Sequence, residues 1–306
     1  MTLLRSGMIA LAQNPVVNRV VTRNGVSKGF ALRFIAGESL ADAVAVTSDL
    51  NHRGFKVALD KLGENVNRES AAADATASYL GMLDRIAESG VDSSISVKLT
   101  MLGLDLSEDF CRRNSVAVLE RAAALGTFVR IDMEGSPYTQ RTLALAYDLF
   151  PSYRESVGIV LQSYLYRTDR DVRDAVERGI RVRLVKGAYA EPATIAYQSK
   201  RDVDAAYHRQ MERLLDGGNY PAIATHDPAI IDLARSYATR MGIDRSRFEF
   251  QLLYGVRRDL QDQLVREGYT VRVYVPFGHQ WYPYFMRRMA ERPANLLFVA
   301  RNVLRR

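Results

Sequence analysis

The residues of this chain that could do chemistry follow short runs of apolar, largely β-branched residues. A buried strand gains nothing from a polar or charged end, because burying such a group costs free energy unless the group is paired. Together these side chains offer a carboxylate for proton transfer and cations that would bind an anion or stabilise developing negative charge. They are Asp60, Lys98, Asp132, Gln162, Arg183, Lys186, His226, Gln251 and Tyr274.

The run that ends at Lys186 carries the most charge. Because side chains alternate along a strand, Arg183 and Val185 are expected on one face and Lys186 on the other. We predict that Arg183 points its cation at a bound ligand. Gly187 and Ala188 follow, and small residues at that point would let a flat ligand approach the backbone closely.

The last helical segment carries a second candidate site. Pro283 suits the first position of a helix, and Tyr284, Arg287, Arg288 and Glu291 then follow at spacings of three, four and seven residues. These spacings place all four side chains on one face. Two arginines beside a tyrosine offer the forked donors that match a carboxylate, so we predict an anion site there rather than a solvated basic face.

Two of these features also have purely structural interpretations. Arg130, Asp132 and Glu134 alternate on one strand and could form an internal layer of ion pairs, an interpretation about as strong as catalysis for those three alone. A lone histidine such as His226 is more often structural, although its position at a strand end favours function.

Several familiar chemistries have no support in the sequence. It contains neither the glycine fingerprint of a Rossmann cofactor site nor a P-loop, and no G-x-S-x-G motif. The four histidines lack metal-ligand spacing, so no metal site is predicted. The one cysteine, Cys111, falls in a predicted helix and is expected to be structural; a single cysteine also suits a reducing compartment.

Eight such apolar runs, about 20 to 40 residues apart, leave room for one helix in each gap. They are Phe55–Asp60, Ser94–Lys98, Phe128–Asp132, Gly158–Gln162, Arg181–Lys186, Ala222–His226, Arg247–Leu252 and Val271–Pro276. This order predicts an α/β fold, a (β/α)8 TIM-type barrel, with the polar ends gathered at its carboxyl-terminal mouth. We predict an N-terminal helical arm over residues 1–46 and the catalytic barrel over residues 47–306.

Length and charge agree with one large enzyme domain. The chain has 306 residues, of which 47% are hydrophobic and 25% charged, with a net charge of +7. Such a charge suits an anionic membrane surface, an acidic ligand or nucleic acid. The charges are interspersed, which argues against nucleic acid. No run approaches the ~20 apolar residues that span a bilayer.

The order of these motifs resembles the bacterial monofunctional proline dehydrogenases, from about Phe34 to Val303. The segments that carry the resemblance are Ser96–Thr100, Arg130–Glu134, Gly158–Leu165, Arg183–Tyr189, Ala224–Asp227, Phe248–Gly255, Tyr274–Gly278 and Tyr284–Arg288. The resemblance implies a (β/α)8 barrel that binds FAD without a Rossmann domain. It also implies oxidation of L-proline to Δ1-pyrroline-5-carboxylate, the first step of proline catabolism to glutamate. In such an enzyme a hydride is expected to pass from proline C5 to flavin N5, and electrons to membrane quinone. With the charge of +7 and no predicted spanning segment, we predict a cytoplasmic protein peripheral to the inner face of the membrane.

The resemblance also implies roles for individual residues. Arg287 and Arg288 match the clamp on the proline carboxylate, with Lys98 beside it. Tyr274, Tyr284 and Leu252 match the walls around the pyrrolidine ring, and Asp132 and Arg183 match catalytic positions. Grouped with the cofactor site is Glu291, which is expected to orient the arginine pair. The positions that match flavin contacts are Met133, Gln162, Val185, Lys186, Gly187, Ala188, Thr225 and His226.

Three other functions remain open on the residues alone. A barrel aldolase would use Lys98 or Lys186 as a Schiff-base nucleophile and would bind no flavin. A flavin barrel similar to methylenetetrahydrofolate reductase would require NADH or a folate. A basic barrel that serves only as a nucleic-acid or membrane scaffold would have no turnover to lose on Arg287→Ala.

Overall fold

Each strand in the described part of the chain is followed by a helix, and the strands close into a barrel. The computed structural model describes residues 32–291, with side chains described for residues 32–286. Neighbouring strands pair in parallel, and the last strand pairs with the first. The strands are β1 (Lys56–Lys61), β2 (Ser93–Val97), β3 (Val129–Ile131), β4 (Val157–Gln162), β5 (Arg181–Val185), β6 (Ala222–Ala224), β7 (Glu249–Leu253) and β8 (Val271–Phe277). The predicted (β/α)8 barrel is confirmed.

Helix α1 (Leu40–His52) precedes the barrel, and Ser39 and Asp42 cap its first turn reciprocally. The helices that follow the strands are α2 (Glu69–Ser89), α3 (Glu108–Ala124), α4 (Ser136–Leu149), α5 (Thr168–Arg178), α6 (Lys200–Gly217), α7 (Pro228–Arg240), α8 (Arg258–Arg266) and α9 (Trp281–Glu291). The suggested boundary between arm and barrel at residue 46 falls inside α1. Residues 1–31 of the predicted arm lie outside the described residues.

Alternation along each strand separates the core from the barrel interior. On β8, Val273 and Val275 are buried in the apolar core, while Arg272 and Tyr274 make polar contacts inside the barrel. Leu184 likewise joins the core beside the inward Arg183. The core thus fills the space between strands and helices and leaves the interior for polar groups.

Arg130, Asp132 and Glu134, for which an internal ion-pair layer was the alternative interpretation, do not form ion pairs with one another. Arg130 donates both of its described hydrogen bonds from Nη1 to backbone carbonyls of β4 and β5, at 3.2 and 2.7 Å. Its guanidinium fits because Gly158 has no side chain; a Cβ there would overlap Nη1. Asp132 and Glu134 lie beyond the end of β3, one or two pleats nearer the mouth, where they meet other partners.

Helix α9 follows β8 and packs against the segment that precedes α1. Trp281, Tyr282, Tyr284 and Phe285 are buried in a second apolar cluster with residues around Phe34. The helix begins at Trp281, so Pro283 is its third residue rather than its first. Proline is still tolerated there, because amide groups in the first turn have no partner within the helix. None of the helices in the described part of the chain has the length and apolarity that a bilayer crossing requires.

Candidate active site

A cavity of about 860 Å³ opens at the carboxyl-terminal mouth of the barrel. Every predicted site residue with a described side chain lines it. These residues are Asp60, Lys98, Asp132, Met133, Gln162, Arg183, Val185, Lys186, Gly187, Ala188, Thr225, His226, Gln251, Leu252, Tyr274 and Tyr284. Lys186 joins Arg183 in this wall despite its opposite parity, because β5 ends at Val185 and the chain turns. The side chains of Arg287, Arg288 and Glu291 lie outside the described residues.

Asp132 and Arg183 form the central polar pair of the cavity. Arg183 Nη1 donates to Asp132 Oδ1 at 2.7 Å, and the side chains are 5% and 12% exposed. The other two edges of the guanidinium donate to Gln251 Oε1, from Nε at 2.5 Å, and to Ser96 Oγ, from Nη2 at 3.2 Å. Asp132 Oδ2 accepts from the Tyr274 hydroxyl at 2.8 Å. Both carboxylate oxygens and all three edges of the guanidinium are therefore held in fixed directions.

Tyr274 is held as a neutral phenol. Burial raises its pKa well above the usual value, and the negative charges of Asp132 and Asp60 act in the same direction. The guanidinium carbon of Arg183 lies 5.1 Å from the centre of its ring, within the range of a cation–π contact. Tyr274 can thus serve as a hydrogen-bond donor and as an aromatic wall of the cavity.

Lys98 is paired with Asp60 on the neighbouring strand. Their Nζ and Oδ1 atoms are 2.7 Å apart, and the side chains are 9% and 2% exposed. Burial acts against the charge on Lys98, but the charges of Asp60 and Asp132 outweigh it and raise its pKa well above the usual value. A Schiff-base lysine must supply a neutral amine, so this environment argues against Lys98 as an aldolase nucleophile.

Lys186 belongs to a four-membered charge cluster at the edge of the cavity. Its Nζ is 2.5 Å from Asp204 Oδ1 and 3.0 Å from Asp227 Oδ2, and Lys200 binds the same two carboxylates. Burial alone would raise the pKa of Asp227, but hydrogen bonds from the two lysines hold it below its usual value. Two lysines and two aspartates therefore form one network of ion pairs at this edge, and Lys186 contacts both carboxylates.

The wall formed by residues at the carboxyl-terminal ends of β3 to β6 fits a flat ligand with polar edges. Gly187 has φ +121°, and a Cβ there would overlap the ring of Tyr164, so the backbone itself forms the surface. Gln162 is held by a 2.9 Å bond from Nε2 to a backbone carbonyl after β3. His226 Nε2 accepts from Leu253 N at 2.9 Å, so a neutral ring carries its proton on Nδ1. This mixture of donors and apolar surface suits the isoalloxazine ring of a flavin.

Glu134 is a buried acid beside this wall. Thr100 donates to it twice, from Oγ1 at 2.6 Å and from the backbone nitrogen at 3.2 Å. Burial outweighs these bonds and raises the pKa of Glu134 to about 7. The sequence suggested only an ion-pair role for this residue, because nothing in the spacing of β3 points to Thr100.

Some cavity residues were not predicted from sequence. Glu64, Tyr189, Lys200, Asp227 and Arg257 line the cavity from loops or from the first turn of a helix. Strand parity carries no information about such positions. Asp227 alone had a sequence signal, because an aspartate before Pro228 is typical of the start of a helix. In the structure its side chain caps α7 by accepting a hydrogen bond from Ala229 N.

Comparison with protein families gives a match over most of the chain. The family model described as proline dehydrogenase matches residues 43–301. Proline dehydrogenase 2 of Bacillus subtilis strain 168 is 39% identical over 302 residues, which cover 99% of both chains. Proline dehydrogenase of Deinococcus radiodurans is 38% identical over 307 residues, covering 99% of this chain and 98% of that protein.

A solved structure shares the architecture. Proline utilization A (PutA) of Bdellovibrio bacteriovorus, inactivated by N-propargylglycine, superposes with a TM-score of 0.82 and 25% sequence identity. The match covers 94% of this chain and 36% of that one, so this chain spans about a third of that longer protein.

Proposed function

Because this chain belongs to the proline dehydrogenase family, we propose that it oxidises L-proline to Δ1-pyrroline-5-carboxylate with FAD as cofactor. The observation that carries the proposal is the fixed group of Asp132, Arg183 and Tyr274 in a cavity of about 860 Å³ at the barrel mouth. The reaction would be the first step of proline catabolism to glutamate.

In this proposal the substrate lies between α9 and the carboxyl-terminal ends of the strands. Arg287 and Arg288 bind the proline carboxylate, an assignment that rests on sequence, with Lys98 beside them. Tyr274, Tyr284 and Leu252 enclose the pyrrolidine ring; the latter two are 6% and 2% exposed in the cavity wall. An anion held at one end and a ring enclosed at the other fix the orientation of C5, and such positioning is a main source of rate enhancement.

FAD would supply the hydride acceptor for proline C5 at its N5 atom. The residues proposed to hold it form the wall from β3 to β6: Met133, Gln162, Val185, Lys186, Gly187, Ala188, Thr225 and His226. Glu291, grouped with this site, would orient the arginine pair. Arg183 would face the reacting centre, where its fixed guanidinium would stabilise developing negative charge.

The proline amine must lose a proton during oxidation, and Asp132 is a candidate acceptor. Both of its carboxylate oxygens already accept hydrogen bonds, at 2.7 Å from Arg183 and 2.8 Å from Tyr274. A carboxylate oxygen has a second lone pair, so Asp132 can accept this proton without releasing either donor, and a water is the alternative acceptor.

We also propose that the electrons pass to membrane quinone and that the protein works in the cytoplasm, bound reversibly to the inner face of the membrane. The net charge of +7 supports this proposal, since cationic residues are attracted to anionic lipid surfaces. No nucleic-acid partner is proposed.

Anaerobic titration with proline tests the enzymatic proposal. The purified protein should show the visible spectrum of oxidised flavin, and added L-proline should bleach it while Δ1-pyrroline-5-carboxylate accumulates. An aldolase would lack the flavin spectrum, and a flavin barrel of the folate reductase kind would be bleached by NADH and not by proline. N-propargylglycine, the inactivator named for the Bdellovibrio PutA structure, should abolish proline-dependent bleaching if the two sites are alike.

A further inference from the structure

Beneath the active-site pair, an unbroken chain of hydrogen bonds runs down the inside of the barrel. Arg183 Nε donates to Gln251 Oε1 at 2.5 Å, and Gln251 Nε2 donates to Glu249 Oε1 at 2.5 Å. Arg272 donates to both carboxylate oxygens of Glu249, from Nε at 2.9 Å and from Nη2 at 3.1 Å. Its remaining edge donates from Nη1 to the Val57 carbonyl at 2.9 Å. The chain thus connects the cavity to the backbone of β1.

The charges along this chain allow only one orientation of the Gln251 amide. Arg183 can only donate, so it requires the amide oxygen. Glu249 is ionised and can only accept, so it requires the amide nitrogen. Burial opposes that ionisation, but the charge and hydrogen bonds of Arg272 outweigh it and hold the pKa of Glu249 below its usual value. A flipped amide would place its nitrogen against the donor of Arg183 and its oxygen against the carboxylate of Glu249.

We propose that Gln251 is a positioning residue for the reaction, which fixes the plane of the Arg183 guanidinium at the cavity wall. Glu249, itself bound by Arg272, holds the amide from below. This inference rests on the proposed function, because it assigns a purpose to the direction in which Arg183 presents Nη1 to Asp132. An arginine side chain has several rotatable bonds, and a rigid support lowers the entropy lost when its donors must be aligned. Gln251 is 3% exposed and provides that support across the barrel from β7 to β5.

A second buried glutamine in this chain provides a matched control. Gln210 on α6 is 2% exposed and donates to Asp169 at 3.1 Å, but it does not line the active-site cavity. Methionine approximates the shape of glutamine and removes its hydrogen bonds. Gln210→Met therefore reports the general effect of losing a buried amide, and Gln251→Met adds the loss of support for Arg183.

The two variants should differ in steady-state kinetics of proline oxidation. Gln251→Met should lower kcat about tenfold or more, while the proline KM changes less than about threefold, because the carboxylate clamp is untouched. The midpoint potential of the bound flavin should also shift. Gln210→Met should leave kcat, KM and potential unchanged. An unchanged kcat in Gln251→Met, or an equal loss in Gln210→Met, would overturn the proposal.

Gln251→Glu gives a test that does not depend on removing side-chain volume. The introduced carboxyl would lie between Arg183 above and Glu249 below, with Arg130, Asp132 and Arg272 as the other charged groups of this interior region. Only its protonated form can accept from Arg183 and donate to Glu249 as the amide does. Relative to wild type, kcat should therefore be highest at low pH and fall as the pH rises and the proton is lost. The same relative kcat at every pH would count against the assignment.

One measurement separates this inference from the proposed function. In protein labelled with ¹⁵N-arginine, the Nε–H of Arg183 should exchange slowly with solvent in wild type and in Gln210→Met, and rapidly in Gln251→Met. If proline fails to bleach the wild-type flavin, the proposed function fails, yet this exchange result still tests the support of Arg183. Slow exchange in Gln251→Met would show that the amide does not hold the guanidinium.

Discussion

Lys98 and Asp60 form a buried ion pair at the barrel mouth, with Nζ 2.7 Å from Oδ1. The sequence placed Lys98 at a strand end, and the family resemblance placed it beside the arginines expected to bind the substrate carboxylate. In the structure most of its charge is already balanced by a carboxylate on the adjacent strand. Its contribution to binding is therefore smaller than that of an unpaired cation, and its contribution to stability is larger.

Removing either partner alone should destabilise the fold. Asp60→Asn leaves the Lys98 ammonium with only the more distant charge of Asp132, and Lys98→Met leaves the Asp60 carboxylate buried without its cation. We expect each single change to lower the free energy of unfolding by about 3–5 kcal/mol, and the double variant to lose much less than the sum. Urea denaturation of the four proteins measures this coupling; additive losses would mean that the pair is not a unit.

The buried acid Glu134 should give the fold a specific pH dependence. Its pKa rises from 4.5 to about 7 on folding, mainly through burial, so the folded state keeps a proton that the unfolded chain has lost. Stability from this group is complete below pH 4.5 and falls as the pH rises through 7. Glu134→Gln cannot lose that proton, so its stability relative to wild type should increase by roughly 3 kcal/mol across this range. Urea denaturation at several pH values gives the result, and a constant difference would exclude the shift.

The fold could be predicted from sequence because each strand carries its own signal. An apolar run that ends on a polar group indicates both a buried strand and the end of the barrel at which it finishes. Parity within β5 and β8 was then enough to place Arg183 and Tyr274 inside the barrel. These are local properties of one segment.

The partners of these residues could not be predicted, because partnership depends on how the strands stagger around the barrel. Asp132 meets Arg183 from a strand 51 positions away, and Tyr274 meets Asp132 across 142 positions. Glu134, which shares parity with Asp132, meets Thr100 because the chain has already left the strand. The spacing of residues within one strand therefore cannot predict which side chains of other strands they contact.

The arginine pair of α9 should control substrate affinity more than cofactor content. Arg287→Ala or Arg288→Ala removes charge-assisted hydrogen bonds to the proline carboxylate, so the proline KM should rise about ten- to hundredfold. Flavin content should change little, because the proposed flavin wall lies on β3 to β6. The inhibition constant of a five-membered cyclic ether carboxylate should rise in parallel, since it carries the anion and the ring without the amine.

A matched arginine checks that this effect is specific. Arg257 lines the same cavity but is paired with Asp259, with Nη2 2.8 Å from Oδ2. Arg257→Ala should leave the proline KM within about threefold of wild type. Unchanged KM in both α9 variants would remove the carboxylate assignment, and an equal rise in Arg257→Ala would make it a general charge effect.

Reversible membrane contact should depend on salt. Basic residues near an anionic bilayer contribute about 1 kcal/mol each, and the attraction is screened as ionic strength rises. The protein should therefore float with anionic liposomes at low salt and remain unbound at high salt or with neutral liposomes. Absence of binding to anionic liposomes at low salt would mean that quinone is reached in some other way.

Tyr274 should set the preference for proline over 4-hydroxyproline. Its ring forms one wall of the cavity, and its hydroxyl is already engaged with Asp132 at 2.8 Å, so it offers a substrate hydroxyl little new hydrogen bonding. A hydroxyl at the pyrrolidine edge would lose its water contacts, at a cost on the order of 1–3 kcal/mol. Tyr274→Ser opens space and supplies a polar group, so kcat/KM for hydroxyproline should rise relative to proline even as proline activity falls. Tyr274→Phe keeps the ring and removes only the bond to Asp132, so it should lower activity on both substrates and leave their ratio unchanged. Steady-state kinetics of the three proteins decides the matter, because an unchanged ratio in Tyr274→Ser would place this ring away from the C4 edge of the substrate.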